Sequence, residues 1–135
     1  MSNTRALVQA FIDHIANGRA VDAFNMINED GTYILIGKTP LSGTFHGRKD
    51  VFERFLAPIA TWPSSPSLTF GDLIVEGDKA ALRASGTGIG PTGPYSQPHY
   101  MFYFKVANGG FAEVIEYLDT VEVEVAAYGK KLVPA

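Results

Sequence analysis

The second half of the chain consists of a succession of long strand-like segments, and this pattern limits the possible folds more than any other feature. Each segment alternates apolar and polar residues or is rich in β-branched and aromatic side chains, which is typical of strands. Turn residues separate them, among them Gly77-Asp78 and Asn108-Gly109-Gly110. The predicted strands are Leu68–Glu76, Lys79–Gly88, Tyr95–Ala107 and Phe111–Val125. Long strands joined by short turns predict an antiparallel meander.

The first half of the chain is mainly helical in pattern. Apolar residues recur at helical spacing in residues 4–17, in residues 20–28 and from Arg48 to about Thr61. Between the second and third helices, Thr32–Ile36 is β-branched and aromatic, which predicts one more strand. Helices followed by strands predict an α+β fold, in which a curved antiparallel sheet wraps around the helices as a cone. The open mouth of such a cone offers a pocket for a small apolar molecule.

The composition predicts one domain over residues 1–135 and excludes several classes of protein. The net charge is -3, and the basic residues form no patch, so no nucleic-acid partner is expected. No apolar run approaches the ~20 residues that cross a bilayer, and the N-terminus lacks a signal-peptide pattern, so the expected location is the cytoplasm. The absence of cysteine and three dispersed histidines argue against a metal site. No cofactor is expected.

The segment from Phe111 to Thr120 holds the residues that most strongly suggest chemistry. It follows a hairpin turn, and alternate residues place Val114, Glu116 and Leu118 on one face, with Asp119 on the other. Within residues 114–121, each face holds one carboxylate among mainly apolar side chains. Because an unpaired charge is costly to bury, an acid in such a strand must be paired, hydrogen-bonded or protonated. Such positions are often functional.

Two motifs give the chain a resemblance to a known superfamily. They are G-T-F-H-G-R-K-D-V before the third helix and N-G-G-F-A-E-V-I-E-Y-L-D-T at the end of the strand region. With the order of elements, they resemble the nuclear transport factor 2-like superfamily and, more narrowly, its SnoaL-like, ketosteroid-isomerase-like small proteins. The resemblance implies that the concave sheet face lines a pocket and that the convex face forms a homodimer. This fold hosts enzymes and non-catalytic binders, so it does not define a function.

Similarity to the limonene-epoxide-hydrolase branch implies which residues face the cavity. The implied catalytic group is Tyr33, Arg83, Ser85 and Glu116. The same comparison implies that Pro98, Tyr100 and Leu118 line the pocket, with Phe55 among the aromatic side chains that fill the cone. Trp62 and His14 are candidates for the pocket mouth. The residues implied for the convex face are His99, Met101, Tyr103, Tyr117 and Asp119.

Glu116 is the expected acid–base residue, because burial among apolar side chains raises the pKa of a carboxyl group. Arg83 would hold the acid or a developing oxyanion, and Tyr33 and Ser85 would donate hydrogen bonds. An alternative is a purely structural Arg83–Glu116 ion pair in a ligand carrier or sensor. If the inward and outward faces are exchanged, Asp119 becomes the candidate acid instead.

The expected activity is cofactor-independent isomerisation, cyclisation, dehydration or hydration of a small apolar, oxygen-bearing molecule. Two named activities of the superfamily lack their partner residues. An epoxide hydrolase needs a second acid where this chain has Ser85, and a water-holding asparagine where it has Leu35. A steroid isomerase needs a general-base aspartate at the end of the first strand, and residues 33–37 contain no acid. The non-catalytic binder remains the alternative.

Overall fold

The computed structural model describes residues 3–135, which form five helices, one π-helical turn and six strands. The helices are α1 (Thr4–Ala16), α2 (Ala20–Phe24), α3 (Arg48–Val51), α4 (Ala57–Ala60) and α5 (Thr120–Tyr128). The π-helical turn, Phe52–Leu56, joins α3 to α4 in one continuous helical segment. The strands are β1 (Ile27–Leu35), β2 (Gly43–His46), β3 (Ser64–Glu76), β4 (Lys79–Gly90), β5 (Gly93–Ala107) and β6 (Gly110–Tyr117).

All six strands belong to one curved, open sheet in the order β2-β1-β6-β5-β4-β3. The long strands β3 to β6 form the predicted antiparallel meander, whereas β1 pairs with β6 in parallel. Asn108 and Gly109 both have positive φ, at 53° and 77°, and connect β5 to β6 as a two-residue hairpin turn. Such turns match the twist of the strands they join. The α+β fold with N-terminal helices is therefore confirmed.

The helices pack against the inner face of the sheet and form an aromatic core with it. Phe11 of α1 has ring centroids 5.3 Å from Phe104 and 5.8 Å from Phe111, both in edge-on contacts. Along β5, Phe102 and Phe104 are buried, and the intervening Tyr103 is only partly buried. This period of two is what one-sided burial of a strand requires. Of the helices in residues 3–135, none is long and apolar enough to cross a membrane.

Several predicted elements differ from the structure at their ends. Strand β1 begins at Ile27 rather than at Thr32, and β3 begins at Ser64 rather than at Leu68. The second helix ends at Phe24 rather than at residue 28, because Ile27 is already the first residue of β1. The last strand ends at Tyr117 rather than at Val125, and the helix α5 follows. Alternating valines in residues 121–125 imitate a strand. A helix forms instead, because the buried residues Val123, Ala126 and Ala127 lie at helical spacing. Gly129, with a φ of 67°, caps its C-terminus.

A β-bulge interrupts the pairing of β4 with β5. Ala84 pairs with Tyr100, whereas Gly86 pairs with Gln97, so β5 contains one residue more than β4 at this point. A bulge of this kind reverses the face on which later side chains lie, relative to regular alternation. The bulge therefore determines which β5 side chains face the interior of the fold.

Candidate active site

A cavity of about 370 Å³ opens between the inner face of the sheet and the helices. Most of its lining is apolar, contributed by α1, the helical segment 48–60, the sheet and α5. Its aromatic lining residues are Phe24, Phe55, Trp62, Tyr95, Tyr100 and Phe102. This combination of an apolar wall and a few polar groups is typical of sites for small organic molecules.

Of the described residues that line this cavity, Glu116 is the only one with a carboxyl group. It lies on β6, where its neighbours across the sheet are Leu35 and Phe102, and it is largely buried, with its remaining exposure toward the cavity. Burial raises the pKa of the Glu116 carboxyl group to about 7, partly opposed by a hydrogen bond from Tyr33. Among residues 3–135, no basic side chain lines the cavity, so the Glu116 carboxyl group has a pKa near neutrality and no counter-charge beside it.

Tyr33 fixes the position of the Glu116 carboxyl group through a hydrogen bond. Its hydroxyl donates a hydrogen bond to Glu116 Oε1, and its side chain is fully buried. The ring is fixed between Phe24 and Phe55, at centroid distances of 5.5 and 4.7 Å. Burial, followed by the negative charge of Glu116, holds the pKa of Tyr33 well above its usual value. Tyr33 therefore remains a hydrogen-bond donor that orients the carboxyl group.

Two tyrosines of β5, Tyr95 and Tyr100, also line the cavity. The hydroxyls of Tyr95 and Tyr100 lie 2.8 Å apart, and both side chains are buried. Burial raises the pKa of each phenol, and the charge of Glu116 raises it further. Tyr100 was expected in the lining, but Tyr95 was missed, since residues five apart in a regular strand face opposite ways. Pro98 was the available signal, because proline inside a strand marks an edge or a bulge.

Arg83 and Ser85 lie on the outer face of the sheet, so the expectation that they face the cavity is wrong. Their β4 neighbours Ala84 and Gly86 are buried and point inward instead. Arg83 and Ser85 line a separate groove on the outer face, together with Pro98, so the expectation that Pro98 lines the cavity is also wrong. The physical reason is the alternation of β4, in which the small and apolar residues occupy the inner positions. The predicted Arg83–Glu116 pair is therefore absent.

The outer face also carries Met101 and Tyr117, which are exposed, as is Ile74. An Arg83 guanidinium nitrogen lies 3.3 Å from His99 Nδ1 on this face. The predicted homodimer contact through the convex face stays a prediction.

The remaining candidate residues fall into two groups. Phe55, Trp62 and Leu118 line the cavity. His14 is outside its lining, and its Nδ1 accepts a hydrogen bond from Arg19. Asp119 is not in a strand: it is the N-cap of α5, and its Oδ1 accepts from the backbone N–H of Val121 at 3.0 Å. Within residues 3–135, no group of three or more His, Cys, Asp or Glu side chains is placed to hold a metal ion.

Comparison with known proteins agrees with this architecture. An NTF2-like protein from Burkholderia thailandensis superimposes with a TM-score of 0.82 at 14% identity, covering 93% of this chain and 98% of that one. A candidate SnoaL-like polyketide cyclase from Jannaschia gives 0.73 at 17% identity, covering 96% and 94%. TerC, co-crystallised with polyporic acid, gives 0.78 at 18% identity, covering 93% and 98%. At these identities the likeness shows the fold alone.

No curated protein sequence matches the chain significantly. The sequence profile of the SnoaL-like domain matches residues 8–114, from the first helix to the middle of β6. The profile covers most of the chain and includes Tyr33, Tyr95 and Tyr100, and it ends two residues before Glu116. By this match the chain belongs to the SnoaL-like domain family, and its fold is that of the nuclear transport factor 2-like structures.

Proposed function

We propose that this protein is a cofactor-independent acid–base enzyme that isomerises, cyclises, hydrates or dehydrates a small apolar, oxygen-bearing molecule. Glu116 is the proton-transferring residue, and Tyr33 is the residue that positions it. The proposal depends on one observation, which is an acid without a counter-charge in an otherwise apolar cavity. A structural carboxylate normally has a paired cation or several hydrogen-bond donors, whereas Glu116 has a single tyrosine hydroxyl.

A pKa of about 7 suits Glu116 to transfer protons in both directions near neutral pH. As the carboxylate, it takes a proton from a carbon next to a carbonyl group. The electron pair of the C–H bond then forms a C=C bond, and the carbonyl π pair moves to oxygen. As the carboxylic acid, Glu116 then returns the proton while the oxygen pair re-forms the C=O bond. In a β,γ-unsaturated ketone the displaced C=C pair shifts and the γ-carbon takes the proton, which completes an isomerisation. In a β-hydroxy ketone the C=C pair of the enolate forms the α,β double bond, the C–O bond to the hydroxyl group breaks, and that group leaves as water with the proton.

Two of the related structures support a role in small-molecule chemistry. One is the candidate polyketide cyclase from Jannaschia, and the other is TerC, which was crystallised with polyporic acid. An epoxide hydrolase is not supported by the cavity, since Glu116 has neither an arginine nor a second acid beside it in the lining. The non-catalytic ligand carrier has the same cavity and is separated from the enzyme by experiment.

The proposed function is tested by deuterium exchange at the α-carbon of 2-tetralone in D₂O, followed by NMR. This ketone is apolar, of a size that fits the cavity, and has acidic α-protons. We expect exchange by the wild-type protein, and a loss of at least about 100-fold in Glu116→Gln. Glu113→Gln is the matched control, because it removes a carboxylate from the same strand at a position that alternates with the inward residues Val114 and Glu116.

Equal exchange by the wild-type protein and Glu116→Gln would contradict the proposal. Binding of the ketone without any exchange would identify the protein as a carrier instead. The pH dependence gives a further check, because the carboxylate is the active form for proton abstraction. Exchange should rise with pH and level off above about 7.

The Tyr33→Phe variant tests whether Tyr33 positions Glu116 and sets its pKa. The hydrogen bond from Tyr33 lowers the pKa of the Glu116 carboxyl group, so its removal should raise that pKa further. We expect the midpoint of the pH–rate profile to move upward in Tyr33→Phe. A purely structural role for Tyr33 would lower the rate at every pH and leave the midpoint in place.

A further inference from the structure

Two tyrosines of β5 lie five positions apart in the sequence and face the same side of the sheet. In regular alternation, Tyr95 and Tyr100 would face opposite sides. The β-bulge between Gln97 and Tyr100 adds one residue, so Pro98 and His99 are both exposed and Tyr100 turns inward again. Bulges often re-aim side chains beside functional sites. Here the bulge brings two hydroxyl groups together on the face of β5 that lines the cavity.

The rings that carry these hydroxyls are held in place by aromatic contacts. Trp62 packs edge-on against Tyr95 at a centroid distance of 5.2 Å, and Phe102 stacks on Tyr100 at 5.8 Å. The hydroxyls have two protons, and the 2.8 Å bond between them uses one. The Gln97 side chain also hydrogen-bonds with Tyr95 and lowers the pKa of Tyr95, as a donor does, so it does not use the other proton, which is left for a ligand acceptor. The pair is therefore a fixed donor, oriented before any ligand arrives.

The charge of the cavity restricts which acceptors can use this donor. In the described part of the chain, no basic side chain lines the cavity, and Glu116 supplies its one carboxyl group. Carboxylate and phosphate groups of a ligand would face this acid without a partner cation, which is unfavourable in an apolar site. Sugar-like ligands would leave many hydroxyls unpaired against the mainly apolar wall. A single uncharged oxygen on an apolar skeleton fits both restrictions.

We propose that the Tyr95–Tyr100 pair is the oxygen-recognition element of the cavity and selects an uncharged ketone or aldehyde. The ligand oxygen accepts the spare tyrosine proton as a hydrogen bond, with the α-carbon turned toward Glu116. When Glu116 removes the α-proton, negative charge moves to this oxygen, where the same hydrogen bond stabilises it. The inference rests on the proposed function for the catalytic step, and its ligand selectivity can be measured without catalysis.

The test compares the binding of 2-tetralone with that of tetralin, which has the same ring skeleton without the oxygen. Trp62 is the only tryptophan of the chain and lines the cavity, so its fluorescence reports binding of both compounds. We expect the wild-type protein to bind the ketone about tenfold more tightly, as one hydrogen bond gives. The double variant Tyr95→Phe/Tyr100→Phe should bind both compounds equally, with its affinity for tetralin unchanged.

Tyr117→Phe is the matched control, since it removes a hydroxyl from an exposed tyrosine on the outer face. It should keep the full preference for the ketone. A wild-type protein without this preference, or a double variant that retains it, would overturn the proposal. Circular dichroism checks the fold of each variant. If the double variant does not fold, at least one of the two single variants should show a reduced preference, because one of the two hydroxyls donates the spare proton, and a full preference in both would overturn the proposal equally.

Glu116→Gln separates this inference from the proposed function. It should lose deuterium exchange and keep the preference for the ketone. If exchange does not depend on Glu116 but the preference depends on the tyrosine pair, the proposed function fails and the oxygen-recognition element stands. If exchange depends on Glu116 and the preference is independent of the tyrosines, the reverse holds.

Discussion

Glu116 and Asp119 lie three positions apart in one segment of the chain, and the fold gives them opposite surroundings. Glu116 is on the inner face of β6, in an apolar cavity, with Tyr33 as its hydrogen-bond partner. Asp119 lies two residues beyond the strand, is exposed, and caps the first turn of α5. Gln97 fixes this junction through two hydrogen bonds to the Asp119 backbone, of 2.7 and 3.0 Å.

The difference shows what separates a chemical carboxylate from a structural one. Asp119 meets a backbone N–H at the positive end of a helix, where a negative charge is stabilised. Glu116 meets mainly apolar side chains, which raise its pKa to about 7 and leave its charge available for reaction. The sequence signal is similar at both positions, namely an acid among apolar residues. The two acids differ because β6 ends at Tyr117, so that Glu116 lies within the strand and Asp119 lies at the start of α5.

The largest effect that tests this comparison is the pH dependence of the stability difference between the wild-type protein and Glu116→Gln. The folded pKa of Glu116 is about 7, above its usual 4.5. At pH 4 the carboxyl group is protonated in both the folded and unfolded states, so burial costs nothing extra. As pH rises from 4.5 to 7, only the unfolded state releases the proton, and stability falls. At pH 8 we expect Glu116→Gln to exceed the wild type by ~3 kcal/mol in free energy of unfolding.

Urea denaturation at pH 4 and pH 8 measures this difference, with Glu113→Gln as the control for the loss of one negative charge. A stability difference between wild type and Glu116→Gln that does not change with pH would contradict the assigned environment of Glu116. It would mean that the carboxyl group is solvated or paired in the folded protein, and the proposed proton transfer would lose its basis.

The sequence predicted the order of elements well because strand alternation and turn residues are local signals. The hairpin at Asn108-Gly109 is one example, since positive φ at both positions favours these two residues. Helix α5 was misread because alternating valines outweighed its capping residues. Asp119 and Glu122 occupy the N-cap and N3 positions, and this spacing is typical of a helix start.

The site was harder to predict, because it depends on which face of the sheet each side chain occupies. This assignment fails where a bulge interrupts the regular alternation of a strand, or where a resemblance to another family is followed instead of that alternation. On β6, simple alternation put Glu116 and Leu118 on one side, and both line the cavity. On β4, the resemblance to another branch placed Arg83 inward, although the apolar alternation of Leu82 and Ala84 favoured the opposite face. Tyr95 required knowledge of a bulge, which depends on pairing between strands and is only hinted at by a proline.

A smaller effect is expected at the structural acid. Asp119→Ala removes the side-chain cap of α5, and this should cost ~1 kcal/mol of stability, as for other N-cap aspartates. Deuterium exchange per folded molecule should stay at the wild-type level. Asp119→Asn is the matched control, because asparagine also caps helices well and should lose little stability. A large loss of exchange in Asp119→Asn would mean that Asp119 takes part in the reaction and that the assignment of a purely structural role to it is wrong.

The smallest effect is expected for Arg83→Ala, and it sharpens the contrast between the two faces of the sheet. The Arg83 side chain is exposed, and one of its guanidinium nitrogens lies 3.3 Å from Nδ1 of His99, which is also exposed. Exposed contacts of this kind contribute little, so stability should change by no more than about 0.5 kcal/mol. Exchange should be unchanged, because Glu116 points to the opposite face. A loss of exchange comparable to that of Glu116→Gln would restore Arg83 as a partner of the acid and reverse the assignment of faces on β4.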